Sequence, residues 1–181
     1  MNPTVSKTLE ECRVNGIDLG ELFSEYVEFA EDENHDYRET SAAQHFTASA
    51  YVFNPDLTEI LLCFHRKGQF WVQFGGHIES QDQSLFAAAQ REGLEESGLS
   101  TLEALSPLPV DLDRHALSSS FGTCRVHWDI GFAFAARRND TVAVSHESED
   151  VKWWPVNALP VDATEDLPRR VSRALETLRR A

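Results

Sequence analysis

Hydrophobic positions recur along the chain at two different periods, and the changes between them outline the elements. Leu19, Leu22, Phe23, Tyr26 and Val27 fall at helical spacing between Asp18 and Ala30, which predicts an amphipathic helix with an acidic opposite face. Residues 31–44 are polar and highly charged and read as a connector. His45–Phe53 alternates loosely and is rich in β-formers. Asn54, Pro55 and Asp56 then supply turn chemistry before a second apolar strand, Glu59–His65. Gln69–Phe74 reads as a third strand, broken by Gly75 and Gly76. Helical spacing returns over Gln83–Ser97, with Ser80, Asp82 and Ser84 as candidate N-caps and Gly98-Leu99 as the stop. Residues 101–121 read as loop. In the run Cys124–Phe134, alternation puts Cys124, Val126, Trp128, Ile130, Phe132 and Phe134 on one face. Arg125, His127 and Asp129 fall on the other, so one face is expected to be core and the other site. A short strand near Val151–Trp154 ends at Pro155. A last helix carries Leu167, Val171, Ala174, Leu175 and Leu178 and finishes in Arg179 and Arg180, which suit a helix C-terminus.

Composition narrows the function. A chain of 181 residues with 41% hydrophobic content suits one domain with an appendage, here 1–44 as an N-terminal helical extension and 45–181 as the domain. The formal net charge of −14 argues against long nucleic acid as a partner, because such binding relies on Lys and Arg neutralising phosphates. A phosphorylated small molecule handled by so acidic a protein needs a positive element, which a carboxylate-bound metal provides. No apolar run is long enough to span a bilayer, and the N-terminus lacks the layout of a signal peptide, so a cytoplasmic protein without membrane partners is expected. Cys12, Cys63 and Cys124 are odd in number and form no CxxC pair, which suggests neither a disulfide framework nor a thiolate zinc site.

The candidate chemistry lies in Gly75–Leu99. On a helix, Glu92, Glu95 and Glu96 stand at i, i+3 and i+4 and project as neighbours. Each like-charged pair costs a bare helix about 0.2–0.5 kcal/mol, and Arg91 relieves this only in part. A hard divalent cation with oxygen ligands offsets the repulsion, whereas a solvated charged face is the alternative. Two glycines just before the helix let backbone approach a ligand closely and lend it a carbonyl.

This segment resembles the Nudix box, which runs Gly, five residues, Glu, seven residues, then Arg-Glu-aliphatic-x-Glu-Glu-x-Gly-aliphatic. Gly76, Arg91, Glu92, Glu95, Glu96, Gly98 and Leu99 match it. Asp82 stands where the first Glu is expected, with eight residues rather than seven before Arg91, and Gly93 replaces the usual aliphatic residue. The His45–Ala50 run, the Cys63–Lys67 run and Trp71-Val72-Gln73 before Gly75-Gly76-His77 are similar to a bacterial Nudix subgroup with an N-terminal helical extension; Phe74 stands where that subgroup commonly has proline.

The resemblance implies an α/β fold: an α/β/α sandwich with a central mixed sheet, plus an N-terminal and a C-terminal helix. It also implies a pyrophosphohydrolase that uses Mg2+, or Mn2+, to cut a diphosphate linkage in a nucleoside diphosphate-X or nucleoside triphosphate. Glu92, Glu95 and Glu96 become the metal ligands, joined by a Gly76 or Gly75 carbonyl and by Glu79, with Arg91 orienting a carboxylate. The general base comes from a box glutamate or from a later loop, where Glu147 is the first choice and Glu149 the second. His77, Arg66, Lys67, His127 and Asp129 are the candidate substrate contacts, with His127 and Asp129 read as a pair. Trp71 and Trp128 are expected in the core. A nucleotide-sensing module without hydrolysis is the alternative function. The apolar stripe of the N-terminal helix requires a cover, either the domain itself or a second copy in a homodimer.

Overall fold

A computed structural model of the protein describes residues 3–31, 42–117 and 124–180. Two ten-residue strands form its spine: β1 (Gln44–Phe53) runs parallel to β7 (Val126–Ala135), paired along their whole length from Gln44↔Val126 to Phe53↔Ala135. Each spine strand forks at its outer edge. Along β1, Thr47–Ala50 pair with β4 (Phe74–His77), while Val52 and Phe53 pair with β2 (Glu59–His65). Along β7, pairing is shared between β5 (Glu103–Ala104) and β6 (Asp111–Ala116). β2 is flanked by β3 (Phe70–Val72) and β8 (Ser148–Pro155), so among the described residues the sheet has eight strands, mixed, with every strand pairing but β1–β7 antiparallel.

Helices cover both faces, which makes the α/β/α sandwich. Phe46, Ala48, Ala50 and Val52 of β1, with Trp128, Ile130, Phe132 and Phe134 of β7, form the larger core. It is closed by α1 (Pro3–Val14), α2 (Phe23–Glu31) and α3 (Leu85–Ser97). The opposite face of the same strands offers Tyr51, Phe53 and Ala133. There α4 (Leu167–Arg180) buries Leu167, Val171, Ala174 and Leu175, each large side chain stabilising by about 1.5–3 kcal/mol.

Several sequence expectations change. The stretch 17–30 is a loop followed by α2, and α1 precedes it unannounced, since its stripe of Val5, Leu9 and Cys12 is thin in an otherwise polar segment. The stripe through Leu19 and Tyr26 is buried against its own chain: the Tyr26 hydroxyl lies 2.7 Å from the carbonyl oxygens of both Asp113 and Asp129, and Phe29 stacks on Trp128 at 4.3 Å. The need for a second copy to cover that stripe therefore disappears. Gly75 and Gly76 do not end strand structure but continue it as β4. The expected loop at 101–121 contains β5 and β6, although 118–121 lie outside the described residues, as do 32–41 of the connector. Both faces of β7 are buried, and the strand starts at Val126, so Cys124 lies ahead of the alternation that placed it with Trp128.

Candidate active site

Close helix–sheet packing sets the geometry of α3. Its N-cap is Ser84, whose hydroxyl accepts from the Ala87 N–H at 3.1 Å; Gly98 ends it in the left-handed region at φ 69°. Ala88, Ala89 and Gly93 are buried on the sheet side. A Cβ at Gly93 would stand 2.8 Å from Leu102 Cδ1 and 3.0 Å from the Ala50 methyl, so a side chain here would push Leu102 aside or lift the helix from Ala50. As a consequence, the glutamates of the next turn meet the backbone of β4. Glu96, 6% exposed, accepts from the Gly75 N–H at 3.0 Å. Glu92 lies so near Gly76 that a Cβ there would be 2.7 Å from its Oε1.

Burial governs the acidity of both carboxyls. It pushes Glu96 up to about 8, against the pull of the Gly75 N–H and with the help of the neighbouring Glu92, Glu147 and Glu95 charges. Glu92 is raised for the same first reason, countered by its contact with Arg91.

Arg91 organises the rest. Its Nε and Nη2 form a two-pronged pair with Asp82 at 3.0 and 2.9 Å, Nη2 also donates to the His77 carbonyl at 2.9 Å, and Nη1 reaches Glu92 at 2.9 Å and Glu95 at 3.2 Å. Asp82 is itself buried and accepts the Glu79 N–H at 2.8 Å. One guanidinium thus joins loop, β4 and α3. The three glutamates have diverged: Glu96 turns inward, Glu92 lies between Arg91 and Gly76, and Glu95 is 62% exposed.

The remaining expected site residues separate into two sets. Near the glutamates lies Glu147, whose charge raises both Glu92 and Glu96, whereas Glu149 is turned to the Gln69 amide at 3.2 Å. Arg66 donates to the carbonyls of His146 at 3.2 Å and Ser148 at 2.8 Å, so it fastens the 145–150 loop. Lys67 is exposed, and Glu79 is exposed beside Gln81. Trp71 and Trp128 are in the two cores.

The expected pairing of His127 with Asp129 is not what the fold builds. Asp129 accepts from Thr47 at 2.9 Å, Ser49 at 2.6 Å and Arg170 at 2.6 Å, while the carboxylate–imidazole pair is Asp113–His115 at 2.9 Å. Period-two alternation puts His127 and Asp129 on one face, but their rise along the strand leaves Asp129 opposite Thr47 rather than against the ring. His127 instead stands among His45, His77 and His115, and burial followed by these rings lowers it to about 3.

A cavity of about 430 Å³ opens beside Gly75, Gly76 and Glu96, lined by residues of β1, β2, β3 and β4 where β2 and β4 take successive stretches of β1. Phe70 and Val72 form an apolar wall, and Gln73, His127 and Arg170 contribute polar groups. The sequence reading missed Gln73 and Arg170. Gln73 is 7% exposed, and its amide oxygen has no partner among the described residues. Arg170 lies fully within a carboxylate cage, 2.8 Å from Asp111 and 2.6 Å from Asp129. Its signal was available only in combination, as an arginine on the apolar stripe of α4 facing an Asp-x-Asp alternation in β6.

A family model described as the NUDIX domain matches residues 43–175. The chain belongs to the Nudix hydrolase superfamily. A search of curated proteins by sequence finds no match. Among solved structures, a UDP-X diphosphatase is 17% identical with a TM-score of 0.58, over 96% of this chain and 78% of that one. The E. coli dihydroneopterin triphosphate pyrophosphohydrolase is 16% identical with a TM-score of 0.57, over 75% and 96%. A NUDIX-family hydrolase from Clostridium perfringens is 21% identical with a TM-score of 0.52, over 75% and 96%. These likenesses establish the Nudix fold.

Both departures in this chain's Nudix box have local explanations. Asp82, although displaced by one residue, reaches Arg91 with both oxygens and ties down the loop through the Glu79 N–H. Leu102 fills the space that an aliphatic side chain at Gly93 would occupy.

Proposed function

We propose that this Nudix protein is a divalent-metal-dependent pyrophosphohydrolase that cleaves the diphosphate linkage of a nucleoside diphosphate-X or nucleoside triphosphate by attack of water at phosphorus. The observation that carries the reading is the burial of Glu96, with Glu92 half-buried beside it, against the Gly75–Gly76 backbone at the edge of the cavity. A buried and a half-buried carboxyl, both raised above their ordinary range, are a poor device for stability and a suitable one for a hard cation. The donor chemistry suits Mg2+ or Mn2+: Glu92 and Glu96 offer carboxylate oxygens at the Gly75–Gly76 backbone, whose carbonyls would join them, and Glu95, turned outward here, would swing in to complete the set. When bound, such an ion would shield the diphosphate and stabilise charge on the transferring group.

The chain's own residues supply the rest. Arg91 holds Glu92 and the loop bearing Glu79 in fixed relation to β4. Glu147, on the loop fastened by Arg66, would accept the proton of the attacking water as the phosphorus–oxygen bond to the leaving phosphate breaks. Phe70 and Val72 offer an apolar surface to the nucleoside, and the Gln73 amide oxygen, without a partner among the described residues, offers to accept a hydrogen bond from it. Solved relatives whose names include a UDP-X diphosphatase and a dihydroneopterin triphosphate pyrophosphohydrolase support this substrate class. Residues 45–181 are the catalytic unit in this reading, with 1–44 an extension that shares its core. Among the described residues no helix is long and apolar enough to cross a membrane, in keeping with a cytoplasmic enzyme.

A panel of nucleotide sugars, dinucleotides and triphosphates, assayed with Mg2+ and with Mn2+ for phosphate-containing products, tests the proposal. Turnover of at least one compound, lost in Glu96→Gln, is expected. Tight binding of a nucleotide that stays intact would favour a sensing module instead.

A further inference from the structure

Three histidines and a cysteine from separate parts of the chain converge outside the carboxylate site. His45 is the second residue of β1, His77 the last of β4, His127 the second of β7, and Cys124 lies two residues ahead of β7. One ligand atom from each lies within 4.8 Å of all the others. Sheet register accounts for the meeting. His45 is directly opposite His127 across the β1–β7 ladder, and His77 is opposite Thr47, the next position on the same face of β1. Ring centroids of His45 stand 4.9 Å from those of both His77 and His127, and Cys124 Sγ is 4.0 Å from Nε2 of His45 and of His77.

Two further observations indicate what belongs at this point. His45 Nδ1 lies 3.1 Å from the Ala42 carbonyl oxygen, which can only accept, so Nδ1 carries the proton and Nε2 turns its lone pair toward the cluster. Metal-binding histidines are held in this way, with the outer N–H on a carbonyl. His127 Nε2 is buried and has no hydrogen-bond partner among the described residues, a condition that needs an explanation in a native interior.

We propose that His45, His77, His127 and Cys124 bind a zinc ion as a closed site with three nitrogen ligands and one sulfur, separate from the glutamates of the Nudix box. Imidazole and thiolate favour Zn2+, whereas Mg2+ and Mn2+ favour carboxylate oxygen, so the two sites select different ions. Tetrahedral zinc with bonds of about 2.0–2.3 Å sets its ligand atoms roughly 3.3–3.8 Å apart, so the four groups, now within 4.8 Å of one another, close by at most about 1.5 Å on binding. Cys124 coordinates as the thiolate and its proton passes to solvent. The ion would brace β4 from behind. Arg91 already holds the His77 carbonyl at 2.9 Å, and the preceding residue, Gly76, abuts Glu92. The site stands whether or not the protein is a hydrolase, because none of its ligands is a box carboxylate.

Cobalt titration of the untagged, metal-stripped full chain tests it. The expected result is one equivalent of Co2+ per chain giving strong tetrahedral visible bands and a sulfur-to-cobalt charge-transfer band. One equivalent of Zn2+ displaces the signal and excess Mg2+ does not. In Cys124→Ser the charge-transfer band disappears while far-UV circular dichroism is kept, and in Glu96→Gln both bands remain. X-ray absorption of the zinc-loaded wild type, which needs no variant to fold, should show three nitrogen neighbours and one sulfur. Only weak octahedral bands, a charge-transfer band that survives in Cys124→Ser, or an all-oxygen zinc shell would overturn the proposal.

Discussion

Replacing Gly76 by alanine would place a methyl group 2.7 Å from Glu92 Oε1, and the carboxylate, as the end of a flexible side chain, would swing away. The fold should tolerate this within about 1 kcal/mol. Divalent binding should weaken about tenfold, the order seen when a ligand's support is disturbed, and calorimetry with Mn2+ reads it. Glu96 makes a second prediction at this scale. Its carboxyl, raised to about 8 chiefly by burial, keeps a proton over a range in which the unfolded chain has released it. The metal-free protein therefore loses stability as pH rises from about 4.5 to about 8, and thermal melts across that window should show it. A cation requires the ionised form, so affinity for Mg2+ or Mn2+ should climb through the same window and level off above about 8. Affinity independent of pH would contradict the assignment of Glu96 as a ligand.

At the scale of elements, α3 shows how packing delivers chemistry. Gly93 lets the helix settle against Ala50 and Leu102, and that depth brings Glu96 to the Gly75 N–H. Gly93→Val should cost about 1–3 kcal/mol through overpacking, and Leu102→Ala in the same chain should recover part of it, as denaturant melts of the single and double variants would measure. This helix and its stop at Gly98 were legible in the sequence from spacing, whereas its start was not, since Ser80, Asp82 and Ser84 all offer capping oxygens and only the fold selects Ser84. β6 was not, for a physical reason. The face it turns to Arg170 is polar, with buried Asp111 and Asp113 and half-buried His115, and Leu112 is its one buried apolar residue, too few for an apolar alternation to show. α1 escaped for the complementary reason, a stripe too narrow to stand out. The carboxylate helix could be read locally, whereas the His45, His77, Cys124 and His127 cluster could not, since its members meet only through strand register. The lack of a CxxC pair argued against a zinc site made of thiolates and left open one made mostly of imidazoles.

For the whole molecule, the buried network beneath the cavity joins the parts. Arg170 binds Asp111 and Asp129 and lies 3.6 Å from Asp113, tying α4 to β6 and β7, while the Tyr26 hydroxyl brings α2 to the same two strands. Arg170→Met would strand these carboxylates in the interior and should destabilise by about 3–5 kcal/mol, measured by chemical denaturation. Asp113 adds an acid limit. Burial raises it, but His115, Arg170 and Arg169 outweigh that and lower it to about 2. Its contribution is complete above about 4 and disappears as pH falls through about 2. The architecture of mixed sheet and flanking helices was legible from the strand and helix periods together with the box. The network was hidden because charges at the centre of a fold look, in sequence, like charges on its surface.

The most direct test of the catalytic account is Mn2+ binding and hydrolysis measured side by side on the wild type and on Glu96→Gln. Glutamine keeps the size of the side chain and can still accept the Gly75 N–H, so the fold should persist. The account predicts that Mn2+ affinity falls and that turnover of a diphosphate substrate drops by more than about a hundredfold. Unchanged Mn2+ affinity together with unchanged turnover in the folded variant would contradict it.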